Sequence, residues 1–530
     1  MDLATFAGPF VPEILLLGAT LLIFLLDVLK LRRLELMGGI AIAALLLALL
    51  FVVADLGFAP VAALATIPAS RINAAPTGTP LYAFSSLGLV FQGIFLLAAF
   101  LVALASLSRP AHERGAPIFY GLVTLATLGM LLVAIASDLI FLLLAIEVVS
   151  IPTYLLVAYT RKDVRALEAA MKFYVVGALS TTLSFFGASL LFGAYGTTNL
   201  YAIAAVAGSV GYPTLVLLGY GFLIAGLAFK VTLVPFHAWA VDVYDGAPSD
   251  VSAFLAGGTK KIGLFAFFLV FLGPILATHL SGTSELPFGV GPVNLGPILQ
   301  LTLAVLAVLT MTVGNLLALL QQEMKRMLAY SSISQAGYMM IGVAIGSSPA
   351  LAGATLQILA HVLMKGGAFL VVAGVGALGV GPLIDDWKGL GVRRPLLGTA
   401  FGLMLLSLAG VPLTIGFVSK FVLFSAAVDA RGYFVWLAVA GLLNSALSVF
   451  YYARVLKVMF FDAPAPAAPL PAGAVVGGSG PPILPAGGLG YGRAAAIAII
   501  AVAIVVLGVY PQPVLGAIQT AAQHFVSLGG

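Results

Sequence analysis

Long apolar stretches recur along this chain, each of about twenty residues and each closed by a short polar turn. Crossing the hydrocarbon core of a bilayer takes about 20 helical residues, and on that measure the pattern predicts fourteen membrane-spanning helices. They lie near 11–30, 36–55, 82–107, 117–136, 138–160, 167–193, 212–240, 248–273, 295–320, 326–346, 350–378, 396–427, 432–460 and 493–512. No basic segment precedes the first run, which leads straight into a bundle, so it reads as a retained span and not as a cleaved signal.

Two of these spans are interrupted. Pro235 stops the seventh, because proline lacks an N–H and clashes with the preceding turn, and Gly410 and Pro412 break the twelfth. Each carries one lysine near its break, Lys230 and Lys420. Corresponding broken helices point to a transporter site between internal repeats. Spans 4–8 and 9–13 are therefore expected to form two five-helix repeats, inverted because five is odd. The predicted fold is an all-α polytopic membrane protein with discontinuous helices 7 and 12. Three spans fill 1–110, the repeats cover 115–275 and 295–460, a Pro/Gly-rich cytoplasmic tether covers 461–492, and a last span with its tail fills 493–530.

Composition supports the same class. The chain is 62% hydrophobic and 8% charged, with a mean hydropathy of +1.16, whereas a soluble domain is about 25% charged. The net charge of +5 is no nucleic-acid signal, since the basic residues are scattered through short loops. Sixteen of them fall in odd-numbered connections and two, Arg71 and Arg431, in even-numbered ones. Odd loops are thus expected to face the cytoplasm and both termini to face outward. Asp242, Asp245 and Asp250 are read as a solvated external hinge between spans 7 and 8.

The absence of cysteine excludes disulfides and thiolate-held metals or clusters. The histidines show no ligand spacing, and neither a P-loop nor a dinucleotide fingerprint is present. Any redox centre is expected on other chains.

Six lysines remain inside spans: Lys172, Lys230, Lys260, Lys261, Lys365 and Lys420. A charge at the bilayer centre costs about 2.5–3.5 kcal/mol even on a lenient scale, which makes such residues functional candidates. Glu147 lies nine residues into the fifth span, roughly 13 Å deep. Burial penalises the charged form of such groups and a facing opposite charge restores it, so a buried Glu/Lys pair can take up and release protons. The break at Pro235 frees backbone groups and favours a hydrated cavity. His237, just beyond, is a relay candidate. Lys260 and Lys261 point about 100° apart; Lys260 is the pathway candidate, while Lys261 faces a neighbouring span or snorkels. His361 and Lys365 are spaced i, i+4, hence on one helix face, as a further relay. Lys172 either snorkels to the cytoplasmic surface or joins the path. The whole reads as an ion pathway, for protons before other ions.

Four stretches also carry a family resemblance. IEVVSIPTYLLVAYTRKDVRALEAAMKFYVVGALSTTLSFFGASLLFGAYGTTNL, FKVTLVPFHAWAVDVYDGAPSDVSAFLAGGTKKIGLF, MKRMLAYSSISQAGYMMIG and LSLAGVPLTIGFVSKFVLF resemble helices 5–6, 7–8, 10 and 12 of subunit N of NADH-quinone oxidoreductase, respiratory complex I. The resemblance covers roughly residues 115–460. It implies an antiporter-like, proton-pumping subunit of the cell inner membrane, driven by quinone reduction elsewhere. FMN, iron–sulfur clusters and quinone would sit on partner subunits, with none on this chain. Subunits M and L and small membrane subunits would be its neighbours. Glu147, Lys230, Lys260 (Lys261 if shifted by one) and Lys420 match the family's glutamate and lysines of helices 5, 7, 8 and 12, and Lys172 its lysine of helix 6. Lys365 is more basic than subunit N leads one to expect and is similar to the L, M or Mrp-type chains. A cation/proton antiporter of the Mrp type, uncoupled from redox, is the alternative, and a non-pumping scaffold the third reading.

Overall fold

The computed structural model describes residues 7–74, 78–108, 115–160, 163–207, 213–277, 284–285, 292–293, 295–463 and 489–529. Three apolar helices come first, α1 (Val11–Val28), α2 (Leu34–Asp55) and α3 (Ser86–Ser106). The first stretch expected to form a repeat holds α4 (Ala116–Ile135), α5 (Leu139–Val157), α6 (Val164–Tyr195), α7 (Pro213–Val231), the short α8 (Ala238–Gly246), and α9 (Ser249–Phe254), which runs into α10 (Lys260–Ala277). The second holds α11 (Leu295–Leu319), α12 (Met324–Ile345), α13 (Ser348–His361) leading to α14 (Gly367–Ala377), α15 (Pro395–Ala409), α16 (Ile415–Asp429) and α17 (Phe434–Phe460). The chain closes with α18 (Tyr491–Val509) and α19 (Gln512–Gly529). Side-chain oxygens cap several starts: Ser85 accepts from the Gly88 amide, Asp138 from Ile140 and Phe141, and Asp163 from Arg165, satisfying orphan donors of the first turn.

Among the described residues, twelve helices are long and apolar enough to cross a membrane. Two further crossings complete the expected fourteen: α12, whose start is basic and polar, and the interrupted pair α15–α16. Both expected breaks are present, between Val231 and Ala238 and between Ala409 and Ile415. Each contains a non-glycine residue at positive φ, Thr232 at 66° and Leu413 at 67°, and Gly410 adds a third at 92°. For the two non-glycine residues such a conformation costs about 1–3 kcal/mol and persists where the surroundings enforce it.

Two further irregularities are π-turns, Leu255–Thr259 in the eighth span and Val362–Gly366 in the eleventh. They cross at the centre of the chain, where a methyl built on Gly257 would lie 3.6 Å from the Gly366 Cα.

The acidic hinge lies at the same end as the basic loops, which overturns its external placement. Arg326 reaches Asp242 at 3.4 Å, and Lys325 Nζ donates to the Asp245 carbonyl and, at 2.8 Å, to that of Ala247. Those carbonyls end α8, where a cation satisfies them. The reason is topological: the connection between spans 7 and 8 is the seventh, hence odd-numbered.

The stretch beyond the last span is not a loose tail. α19 has one buried stripe, Leu515, Ile518, Ala521, Ala522 and Phe525, at helical spacing. That stripe packs on α3 and α13, and His524 Nδ1 lies 3.0 Å from the Asn73 amide. Of the expected Pro/Gly tether, residues 464–488 lie outside the described residues.

Candidate functional site

On α5, Glu147, Ser150 and Tyr154 recur at i, i+3 and i+7 and so share one face. Lys230, the penultimate residue of α7, donates from Nζ to Ser150 Oγ at 2.5 Å and lies 3.5 Å from the Tyr154 hydroxyl. Glu147 accepts from Thr181 Oγ1 at 2.7 Å and from Ser150 Oγ at 3.4 Å. Glu147 and Lys230 therefore form no direct ion pair; Ser150 bridges them. Both are partly exposed on the single chain, on a helix face that lipid or a neighbouring subunit would cover.

The next lysines are deeper. Lys260, 3% exposed, follows the first π-turn and donates to the Ser332 carbonyl at 2.8 Å, with Ser332 Oγ at 3.4 Å. A void of about 20 Å³ lies between it and Lys230, lined also by Ser150, Tyr244 and Thr259, room for about one water. Lys261 is fully buried and does not snorkel: its Nζ lies 2.8 Å from His361 Nδ1. The second π-turn begins directly after His361 and contains Lys365. Lys365 donates to Ser331 Oγ, which also meets the Tyr452 hydroxyl at 2.5 Å.

From here the polar run continues along α12. Gln335, one turn after Ser331, accepts from Gln357 Nε2 at 2.8 Å, and Gln357 Oε1 accepts from Ser419 Oγ at 2.5 Å. Gln335 Nε2 also reaches the Leu408 carbonyl at 3.4 Å. That carbonyl, freed by the break after α15, accepts from Lys420 Nζ at 2.8 Å, and the Ala409 carbonyl does so at 3.3 Å. Lys420 thus caps α15 at its negative end. It also donates to Ser445 Oγ at 2.7 Å and lies 5.0 Å from the Tyr338 ring centre. Gly410 allows this approach, since a methyl there would meet the Lys420 side chain at 3.3 Å. A cavity of about 510 Å³, lined by Phe417, Phe421, Asp429 and Ser445, opens beside Lys420.

The structure therefore places Glu147, Lys230, Lys260, Lys261, His361, Lys365 and Lys420 along one path, with Lys172 on its entry side and His237 within electrostatic reach of Lys260. Lys172, with a side chain 46% exposed, pairs with Glu168 and Asp242, each at 2.9 Å. His237 is half-buried ahead of α8, and its Nδ1 has no hydrogen-bond partner among the described residues. Sequence reasoning missed the connecting groups: Ser150, Thr181, Ser331, Ser332, Gln335, Gln357, Ser419 and Tyr452. The signal lay in YSSISQ, where polar residues at i, i+1 and i+4 of an apolar span define a stripe. No cluster able to hold a metal occurs among the described residues.

An all-helical membrane bundle with lysines inside it and breaks in its seventh and twelfth spans is the architecture of an antiporter-like membrane subunit. The family model described as NADH:quinone oxidoreductase/Mrp antiporter, transmembrane, matches residues 136–448, and the chain belongs to this family. It is 39% identical to F(420)H(2) dehydrogenase subunit N of Methanosarcina mazei, over 82% of this chain and 83% of that one. It is 40% identical to NADH-quinone oxidoreductase subunit N of Trichlorobacter lovleyi, over 72% and 77%. Among solved structures, a chain of respiratory complex I from Thermus thermophilus superposes with a TM-score of 0.73 at 30% identity, covering 96% of this chain and 99% of that one.

Proposed function

We propose that this chain is the proton-translocating subunit N of an NADH-quinone oxidoreductase, working in the membrane arm while NADH oxidation and quinone reduction proceed on partner subunits. The relatives named subunit N and the complex I neighbour support that reading. The observation that carries it is the succession of lysines, hydroxyls and amides from Lys230 to Lys420, with a water-sized void between Lys230 and Lys260 and hydrogen-bonded segments beyond it. Protons enter from the cytoplasm, pass Lys260 and the Lys365 region, and leave through the second repeat near Lys420. Glu147 and Lys230 set the charge state of the entry half. The excess of basic residues in odd loops puts both termini outside the bacterial inner membrane. Subunits M and L are the expected neighbours, and FMN, iron–sulfur clusters and quinone belong to other chains of the complex. The relative from Methanosarcina mazei carries a different donor in its name, which fits a chain whose own task is independent of the electron source.

Lys260→Ala tests the reading. In vesicles holding the assembled complex, protons moved per quinone reduced are expected to fall, because the transfer step loses a group of the kind worth about 10²–10⁴-fold in proton transfer. An unchanged ratio in a fully assembled complex overturns it.

A further inference from the structure

Two cavities meet on either side of Trp239. The first, about 410 Å³, is lined by Lys172, Ser180, Phe229, Pro235, Trp239 and Asp242. Through Lys172 and Asp242 it adjoins a polar cavity of about 340 Å³ at the basic-loop face, where Arg165, Glu168 and Arg326 gather. The second is the water-sized void shared by Lys230 and Lys260, and its wall also includes Phe173 and Trp239. Three rings stand between them. Phe173 stacks on Trp239 with centroids 4.6 Å apart and planes 7° apart, and Phe229 packs on Trp239 at 4.6 Å and 34°. All three are nearly buried, Trp239 at 8% exposed. A stack of apolar rings offers water no partner, so it interrupts a hydrogen-bonded path while closed.

Trp239 is also tied to the lysine it screens. Its indole N–H donates to the Phe229 carbonyl at 3.2 Å, and that carbonyl belongs to the peptide bond joining Phe229 to Lys230. Trp239 sits on α8 and Phe229 on α7, so the bond spans the break at Pro235. A shift of the α7 end that repositions Lys230 moves the acceptor holding the indole.

We propose that Trp239 is the gate of the entry path, closing Lys230 and Lys260 off from the vestibule at Lys172 and Asp242 and opening as α8 shifts against α7. The proposal rests on the proton-translocating reading above, and its test needs no turnover, so the two can fail separately. The whole complex is reconstituted in vesicles loaded with a pH-sensitive dye, and a pH step is applied without substrate. Trp239→Ala is expected to leak protons several-fold faster than the unaltered complex, and Trp239→Phe, which keeps a ring, is expected to stay tight. An assembled Trp239→Ala complex as tight as the unaltered one overturns the gate. Should that variant not assemble, emission decides. The chain has three tryptophans, so Trp387→Phe with Trp436→Phe leaves Trp239 as its reporter. A complex whose other chains carry the same exchanges is expected to show a red shift during turnover, and emission identical with and without turnover overturns the proposal.

Discussion

Lys230 meets Glu147 only through a hydroxyl: Ser150 Oγ accepts from the lysine at 2.5 Å and lies 3.4 Å from the carboxylate. Ser150 Oγ also lies 2.6 Å from the Ile146 carbonyl, so its single proton has two acceptors. Turned to Ile146 it leaves Glu147 apart; turned to Glu147 it completes the bridge. Ser150→Ala is therefore expected to lower protons pumped per quinone reduced, while Ser150→Thr restores them. Measured in the same vesicles, equal ratios for alanine and serine would show that the bridge carries nothing.

Gln357 makes a second prediction. Its side chain joins Gln335 at 2.8 Å to Ser419 at 2.5 Å, ahead of Lys420. Gln357→Leu keeps most of the volume and removes both bonds, leaving buried polar atoms short of a partner at about 1–3 kcal/mol. Pumping is expected to fall with modest loss of thermal stability, and Gln357→Glu, which keeps an acceptor for Ser419, should lose less. A leucine variant that pumps normally would remove this glutamine from the path.

The breaks were legible because Pro235, Gly410 and Pro412 announce them, and the lysines were legible because charge in an apolar run is costly. The π-turns were not: no residue type marks an extra residue in a helical turn. His361 and Lys365, expected on one face, take different hydrogen-bond partners, Lys261 and Ser331. Ser331, Ser332 and Gln335 escaped notice since each alone is an ordinary small or neutral polar residue, informative only as a stripe. The stripe of α19 was legible in its spacing but too weakly apolar to register as a span. The acidic hinge was misplaced although loop parity assigns it, the seventh connection being odd.

Glycines near the centre give a prediction of opposite signs. A methyl on Gly337 would lie 2.6 Å from the Met311 amide and 2.7 Å from the Ala307 carbonyl, whereas one on Gly257 finds nothing nearer than 3.6 Å. The first contacts are backbone, so α11 and α12 would have to move apart, at about 1–3 kcal/mol for overpacking. Gly337→Ala is expected to lower the melting temperature of the purified complex or block its assembly. Gly257→Ala should be tolerated in both respects, despite its place in the π-turn. Equal tolerance of the two would contradict the close approach of α11 to α12.

Arg493 and Asp250 form a buried ion pair, their side chains 4% and 2% exposed and Nη2 to Oδ2 at 3.4 Å. The pair fastens α18 to α9, and so the last span to the helix that leads into Lys260. Removing one member leaves the other charge uncompensated, a loss of about 3–5 kcal/mol, whereas replacing both by apolar residues of similar volume is often near neutral. Asp250→Leu alone is therefore expected to destabilise the chain strongly, and the double variant Asp250→Leu with Arg493→Met to recover most of that loss. Melting temperatures of the purified complex give the comparison. If the double variant is as unstable as the single one, the pair does more than cancel its own charges, and its hydrogen bonds must position the start of the eighth span.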